Sequence, residues 1–251
     1  MKKIKITGLF TICSCLLFLF SQTALALTGK EIIDQTKKMI EPDAATSTVI
    51  MLIYKGDKAL EKEFEIMSKK DGDDNTKTLI SFTKPTKIKL LTHMNKGKES
   101  DQWLRLSSGK IKRITSSGKD KSFVNSHFTY EDLSSRNNDD YTYELIGSET
   151  INGDDCYKVQ AEKKGNNRIY DKSITYVRKT DYVILRDDLF QKGALLKYIE
   201  NSDIREIDGI KTPFKIVMIM ADGSGKTELN VQTVQYNVEL KDNLFNKDAL
   251  R

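Results

Sequence analysis

The sequence predicts a mainly β protein of α+β type: one large antiparallel sheet, long enough to curl, preceded by a single amphipathic helix. Three observations carry this. About a dozen short stretches alternate apolar and polar side chains with a period of two, the spacing of a half-buried strand. Turn residues separate them at hairpin intervals, too short for the crossovers of parallel βαβ units. Only residues 28–41 carry a clear helical stripe.

In that first stretch Ile32, Ile33, Thr36, Met39 and Ile40 recur at helical spacing. Thr28 and Glu31 form a capping box at its start and Pro42 ends it. Residues 48–54 are apolar and β-rich. Residues 61–69 alternate, with Phe64 and Ile66 on one face and Glu61, Glu63 and Glu65 on the other. Strands at 77–82 and 88–94 flank Pro85. Residues 101–106 and 110–115 form a hairpin about Ser107-Ser108-Gly109-Lys110. After the Ser-Ser-Gly turn at 116–118 the period breaks, and the aromatic residues 122–133 read as a partly helical lid over the sheet or as a core-packing loop. Residues 141–148 and 155–162 pair around Asn152-Gly153, a strong hairpin signal. Further strands are expected at 173–178, 182–190, 195–201, 203–207, 214–220 and 227–236, and a short helix or turn at 242–250. A sheet of that size must curl or close. No linker, composition break or repeat divides it, so residues 27–251 are expected to form a single domain.

The chain has 251 residues, 31% of them charged and 38% hydrophobic, with a net charge of +5. Lys2, Lys3 and Lys5 precede an apolar run over 6–20 and the small-residue site Ala24-Leu25-Ala26. That is the plan of a secretory signal peptide over residues 1–26, cut after Ala26. Without those three lysines the charge falls to +2, which gives no reason to expect nucleic-acid binding. Cys13 and Cys15 lie inside the apolar run, so Cys156 is expected to be the only cysteine of the exported chain, with no internal disulfide.

Candidate catalytic motifs are weak. Gly223-Ser224-Gly225-Lys226-Thr227 resembles the tail of a phosphate-binding loop, but Met220 stands where the first glycine belongs and a strand follows where a helix is required. Asp71-Gly72-Asp73-Asp74-Asn75 lacks the later ligands of a calcium loop. Cys156 with His93 or His127 is the remaining nucleophile–base combination, and it has no nucleophile elbow or paired metal ligands beside it. No catalytic residue, metal or cofactor is expected, and the chain reads as a non-enzyme. Bulky apolar side chains at alternating positions point instead to an oily face: Phe64, Ile66, Leu90, Met94, Leu104, Val183, Leu185, Met218 and Met220, with Phe123 and Phe128 from the lid. Whether they line an open groove or fill a core is not set by the pattern.

One stretch carries a resemblance. Trp103, Arg113-Ile114, Ser122-Phe123, Ser126, Phe128 and Tyr130-Glu131-Asp132-Leu133 resemble, in order and spacing, the signature of the outer-membrane lipoprotein-sorting proteins, relatives of the periplasmic carriers LolA and LolB. Phe82-Thr83-Lys84-Pro85, Leu145-Ile146-Gly147, Gly153-Asp154-Asp155-Cys156-Tyr157 and Phe245-Asn246-Lys247-Asp248-Ala249-Leu250 extend it. The resemblance implies an incomplete β-barrel with a covered concave face. It also implies a periplasmic location and a groove that binds an acylated lipoprotein or lipid. The expected donor is an inner-membrane transporter and the expected acceptor lies at the outer membrane. Two other readings stay open: an accessory envelope protein working with an export pump, with a filled core, and a hydrolase using Cys156.

Overall fold

The structure, a computed structural model, describes residues 27–38, 42–56, 58–72, 75–95, 97–134, 138–164 and 169–251. The expected signal peptide lies outside the described residues, as do Met39, Ile40, Glu41, Asp57, Asp73 and Asp74. Helix α1 (Gly29–Lys38) comes first. Strands β1 (Ala44–Lys55), β2 (Lys58–Lys70), β3 (Thr76–Lys84), β4 (Lys89–Met94), β5 (Asp101–Arg105) and β6 (Ile111–Ile114) follow. After the irregular segment 115–140 come β7 (Tyr141–Ile151), β8 (Asp154–Lys163), β9 (Lys172–Arg178) and β10 (Ile184–Gln191). The series ends with β11 (Ala194–Ile207), β12 (Ile210–Met220) and β13 (Lys226–Tyr236).

All thirteen strands join one antiparallel sheet, in the order β6-β5-β4-β3-β2-β1-β13-β12-β11-β10-β9-β8-β7. The first and last strands of the chain are therefore neighbours, and the two edges of the sheet are not. β1 pairs with β13 in the middle, and the sheet ends at β6 and β7. Two-residue turns explain much of this regularity. Asn152-Gly153, Lys192-Gly193 and Asp208-Gly209 all have positive φ at both residues, the conformation whose twist matches that of the flanking strands. Residues 195–201 and 203–207, expected as two strands, are one: β11 continues through Asp203, where φ is 50°, and keeps its register with β12 on both sides. Pro213 sits inside β12, opposite Ile204 of β11 but beyond the pairing with β13, which starts at Lys215, so on the β13 side its missing N–H leaves no ladder bond unmade.

The sheet is strongly curled, and two hydrogen bonds prove it. Tyr130 O accepts from Gln102 Nε2 of β5 at 3.0 Å, and Asp132 Oδ2 accepts from Lys197 Nζ of β11 at 2.6 Å. Strands β5 and β11 stand seven pairings apart, about 34 Å in a flat sheet. Two residues of chain span only about 7 Å. The segment can reach both strands only if the sheet wraps around it.

The register fixes which side chains face inward. Leu90 pairs with Leu104, Phe64 with Val49, Met51 with Leu229, Leu229 with Ile216, Met218 with Ile199, Asp187 with Thr175, and Thr175 with Val159. Directly opposed residues share a face, so the surface under segment 119–134 and the surface under α1 are one continuous inner face. Helix α1 covers the β7–β9 end through Ile32 and Ile33, which cluster with Val159 and Val177. Its capping box is formed: Thr28 N donates to Glu31 Oε2 at 2.8 Å, and Glu31 N to Thr28 Oγ1 at 3.2 Å. These bonds hold the Glu31 carboxyl below its usual range. The helix sits so close to β7 that a Cβ on Gly29 would lie 2.9 Å from Glu144 C and Leu145 N.

On the outer face, two short 3-10 turns, Asp242–Phe245 and Lys247–Leu250, bury Phe245 and Leu250 against Leu79, Leu91 and Trp103. His93 Nε2 lies 2.7 Å from Phe245 O, and Lys89 Nζ donates to Ala249 O at 2.6 Å. The chain's C-terminal stretch thus closes the one part of the outer face that carries large apolar groups at this end of the sheet.

Candidate functional site

The hollow of the curled sheet is occupied by the segment expected to be a lid. It is less regular than its sequence suggested. Among its described residues only Ser116–Gly118 forms a 3-10 turn, and a single bridge joins Ser122 to Thr129. Helix is absent there because backbone groups find local partners instead. Phe123 N donates to Phe128 O at 2.8 Å, Ser126 Oγ to Phe123 O at 2.7 Å and Ser122 Oγ to Ser126 O at 2.6 Å. This tight loop forces positive φ on Val124 (48°) and Asn125 (65°). For a β-branched residue that conformation is strained.

The strain is offset by burial. Phe123 is 1% exposed, with ring centroids 5.7 Å from Phe82 and 5.6 Å from Tyr130. These three join Phe64, Leu90, Leu104, Met51 and other side chains of β1–β5 in the largest apolar cluster. Burying one such aromatic contributes roughly 1.5–3 kcal/mol.

The far end of the segment is anchored by ions. Lys197 and Asp132 form a salt bridge in which each side chain is only 2% exposed. Lys197 Nζ also donates to His127 O at 3.0 Å. The Asp132 carboxylate accepts from Tyr170 OH at 2.6 Å and from Thr129 N at 2.7 Å. Burial pushes the Lys197 ammonium below its usual range, with Asp132 opposing that shift. Burial, reinforced by the Asp132 charge, drives the Tyr170 phenol far above its usual range, so it stays protonated and donates. Tyr170 also lines a small cleft of about 30 Å³, with Leu189, Lys163 and Glu131. Nothing in the local pattern marks this cluster, because Tyr170 and Lys197 lie 38 and 65 residues from Asp132 and all three are ordinary residue types.

At the segment's tip, His127 N and Nδ1 lie 3.0 and 2.8 Å from Thr227 Oγ1. Gly225 is required beside them: a Cβ there would stand 2.7 Å from His127 Nε2 and 2.5 Å from Tyr54 O. Burial, then the charge of Lys55, holds the His127 imidazole below its usual range. The unfolded chain therefore binds more protons in the window below about pH 6.5. The stability this group contributes is complete above that value and is lost as the pH falls toward the folded pKa. His127→Gln is expected to flatten the fall of the urea midpoint between about pH 7 and about pH 5.5; an equal fall in both proteins would refute the assignment.

Among the described residues, the inner face between the lid and α1 is only partly covered, with Leu229 and Val231 at the edge of the cluster under the lid. Ile199, Ile216, Leu229 and Val231 are half-buried around the fully buried Met218. α1 reaches β7, β8 and β9 and stops short of these strands.

The residues expected to line a groove divide. Phe64, Leu90, Leu104 and Phe123 meet under the lid, with Ile66 packed at the cluster's edge. Phe128 is buried within the lid's own loop, at 5% exposure. Met218 and Met220 lie on the inner face, Met220 opposite Lys197 in the pairing of β11 with β12. Met94 is half-buried at the end of β4, opposite Thr76. Val183 and Leu185 are placed elsewhere, on the outer face with Cys156, Ile174 and Tyr176. A register shift between Ile184 and Arg186 reverses the alternation there, as a one-residue slip must.

Cys156 is fully buried in that outer cluster, and burial pushes its thiol above the usual range. Its Sγ contacts Asp154 O at 3.5 Å, while the two histidines hold partners on other elements. It packs as a small apolar residue.

A curled, unclosed antiparallel sheet with a front helix and a loop in its hollow defines a LolA-like carrier fold. A family model described as "Uncharacterized protein" matches residues 74–251. The chain belongs to that family. A DUF1329 family protein from Desulfovibrio piger is 28% identical with a TM-score of 0.85, over 89% of this chain and 98% of that one. An outer membrane lipoprotein-sorting protein domain from Vibrio parahaemolyticus is 28% identical with a TM-score of 0.84, over 88% and 97%. A LolA superfamily protein from Nitrosomonas europaea shares the fold at 21% identity, with a TM-score of 0.70 over 89% and 100%. No curated protein matches the chain.

Proposed function

We propose that the chain is a non-catalytic periplasmic carrier that takes an acylated lipoprotein or lipid into its hollow and passes it toward the outer membrane. One observation supports this above the others: a half-buried apolar strip, Ile199, Ile216, Leu229 and Val231, crosses the inner face between the lid and α1. An acyl chain laid on it gains about 0.8 kcal/mol per methylene buried. Met218 and Met220 beside it adapt to chains of different shape. Residues under the lid, from Phe64 to Leu104, become available when the lid lifts, and a ligand lifts it only by binding the open state better than the closed one. The proposed donor is an inner-membrane transporter and the acceptor lies at the outer membrane.

A second reading has its own observation. Phe123 and Tyr130 already fill the β1–β5 half of the hollow, as an accessory envelope protein without a ligand would require. Titration with a fluorescent fatty acid separates the two. The carrier binds it saturably and loses binding in Ile216→Arg, whereas the accessory protein shows no saturable binding.

A further inference from the structure

The antiparallel order sends the β1–β2, β3–β4, β5–β6, β10–β11 and β12–β13 turns to one end of the sheet, and the β2–β3, β7–β8, β9–β10 and β11–β12 turns to the other. The two ends differ in charge. At the first, Lys55, Lys58, Lys87, Lys110 and Lys192 are all exposed. Among the described residues, none of the five makes an ion pair. Among the described residues of this rim's turns, two carboxylates are engaged by turn amides: Asp171 accepts from Gly193 N at 2.7 Å and Asp222 from Ser224 N at 2.9 Å; Asp57, in the β1–β2 turn, lies outside the described residues. At the other end the signs alternate and pair: Lys77 with Asp71, Lys211 with Glu206, and Arg178 with Asp154 and Asp181.

We propose that the lysine-bearing rim docks the protein on an anionic phospholipid surface. Neighbouring turns on one end are two strands apart, about 10 Å, so the cations form a broad arc and not a pocket. They are lysines on long flexible stems, point charges without the fork that reads one fixed carboxylate or phosphate. Such an array suits a fluid layer of phosphates better than a protein epitope of set geometry. The same rim carries the lid's tip, where His127 leans on Thr227 next to the β12–β13 turn. Docking therefore brings the entrance of the hollow to the bilayer. The inference rests on charge placement alone and stands or falls apart from the acyl-carrier reading.

The test is co-sedimentation of the protein with vesicles of phosphatidylglycerol and phosphatidylcholine in equal parts, against pure phosphatidylcholine. Binding to the anionic vesicles alone is expected, weakening as salt shortens the screening length from roughly 30 Å to roughly 3 Å. Lys58→Glu/Lys87→Glu/Lys110→Glu is expected to lower it about a hundredfold, and the milder triple change to Gln by less. Lys98→Glu/Lys179→Glu, at the opposite end, serves as control and retains binding. Equal binding to both vesicles, no binding, retention on an acidic protein alone, or equal losses in rim and control variants would each overturn the proposal.

Discussion

Lys197→Met is expected to destabilise the protein by about 3–5 kcal/mol, the usual result of removing one partner from a buried ion pair. The substitution leaves the Asp132 carboxylate in a site where both side chains are 2% exposed. Tyr170 OH and Thr129 N still donate to it, but no cation remains. Asp132→Asn in the same background should restore part of the loss, because an amide oxygen still accepts from Tyr170 and carries no charge. Urea unfolding of the wild type, the two single variants and the double variant checks this. Losses that simply add would show that the pair does not act as a unit. The pair also ties the lid to β11 across the hollow.

Phe123→Ala is the second large effect. Truncating a buried aromatic costs about 3–5 kcal/mol, and here the vacated space lies in the hollow, between Phe82 and Tyr130. The carrier reading adds a consequence that a filled core does not share. With the lid's wedge removed, a larger fraction of molecules is competent to bind, so the apparent affinity for a fluorescent fatty acid should rise. Thermal unfolding measures the first effect and ligand titration the second. Lower stability with unchanged or absent binding would favour the accessory protein.

Strand alternation and turn chemistry made the sheet legible. β2 is regular from Phe64 onward, with its pairing shift against β3 falling just before, at Glu63, so the alternation that puts Phe64 and Ile66 on one face carries straight into the sheet. The outer-face position of Val183 and Leu185 is hidden in the pattern, because a bulge leaves no mark in the alternation of apolar residues. The merging of two expected strands into β11 has another origin: Asp203 takes a positive φ without breaking the pairing with β12. The lid was recognised by its loss of period, yet its course was not, since single hydrogen bonds from Ser122 and Ser126 decide it. Lys197, Asp132 and Tyr170 stayed hidden for a different reason: only the curl of the sheet brings them together. Local pattern reports what each segment is, and the closure of the hollow is a long-range fact.

The most direct measurement is mass spectrometry of lipid extracted from the protein isolated from the periplasm of a two-membrane bacterium. A carrier with an accessible oily interior should bring out acyl species in near-equal number to the protein. Clean protein that also ignores an added fluorescent fatty acid would contradict the account, whatever the likeness of its fold to the lipoprotein-sorting proteins.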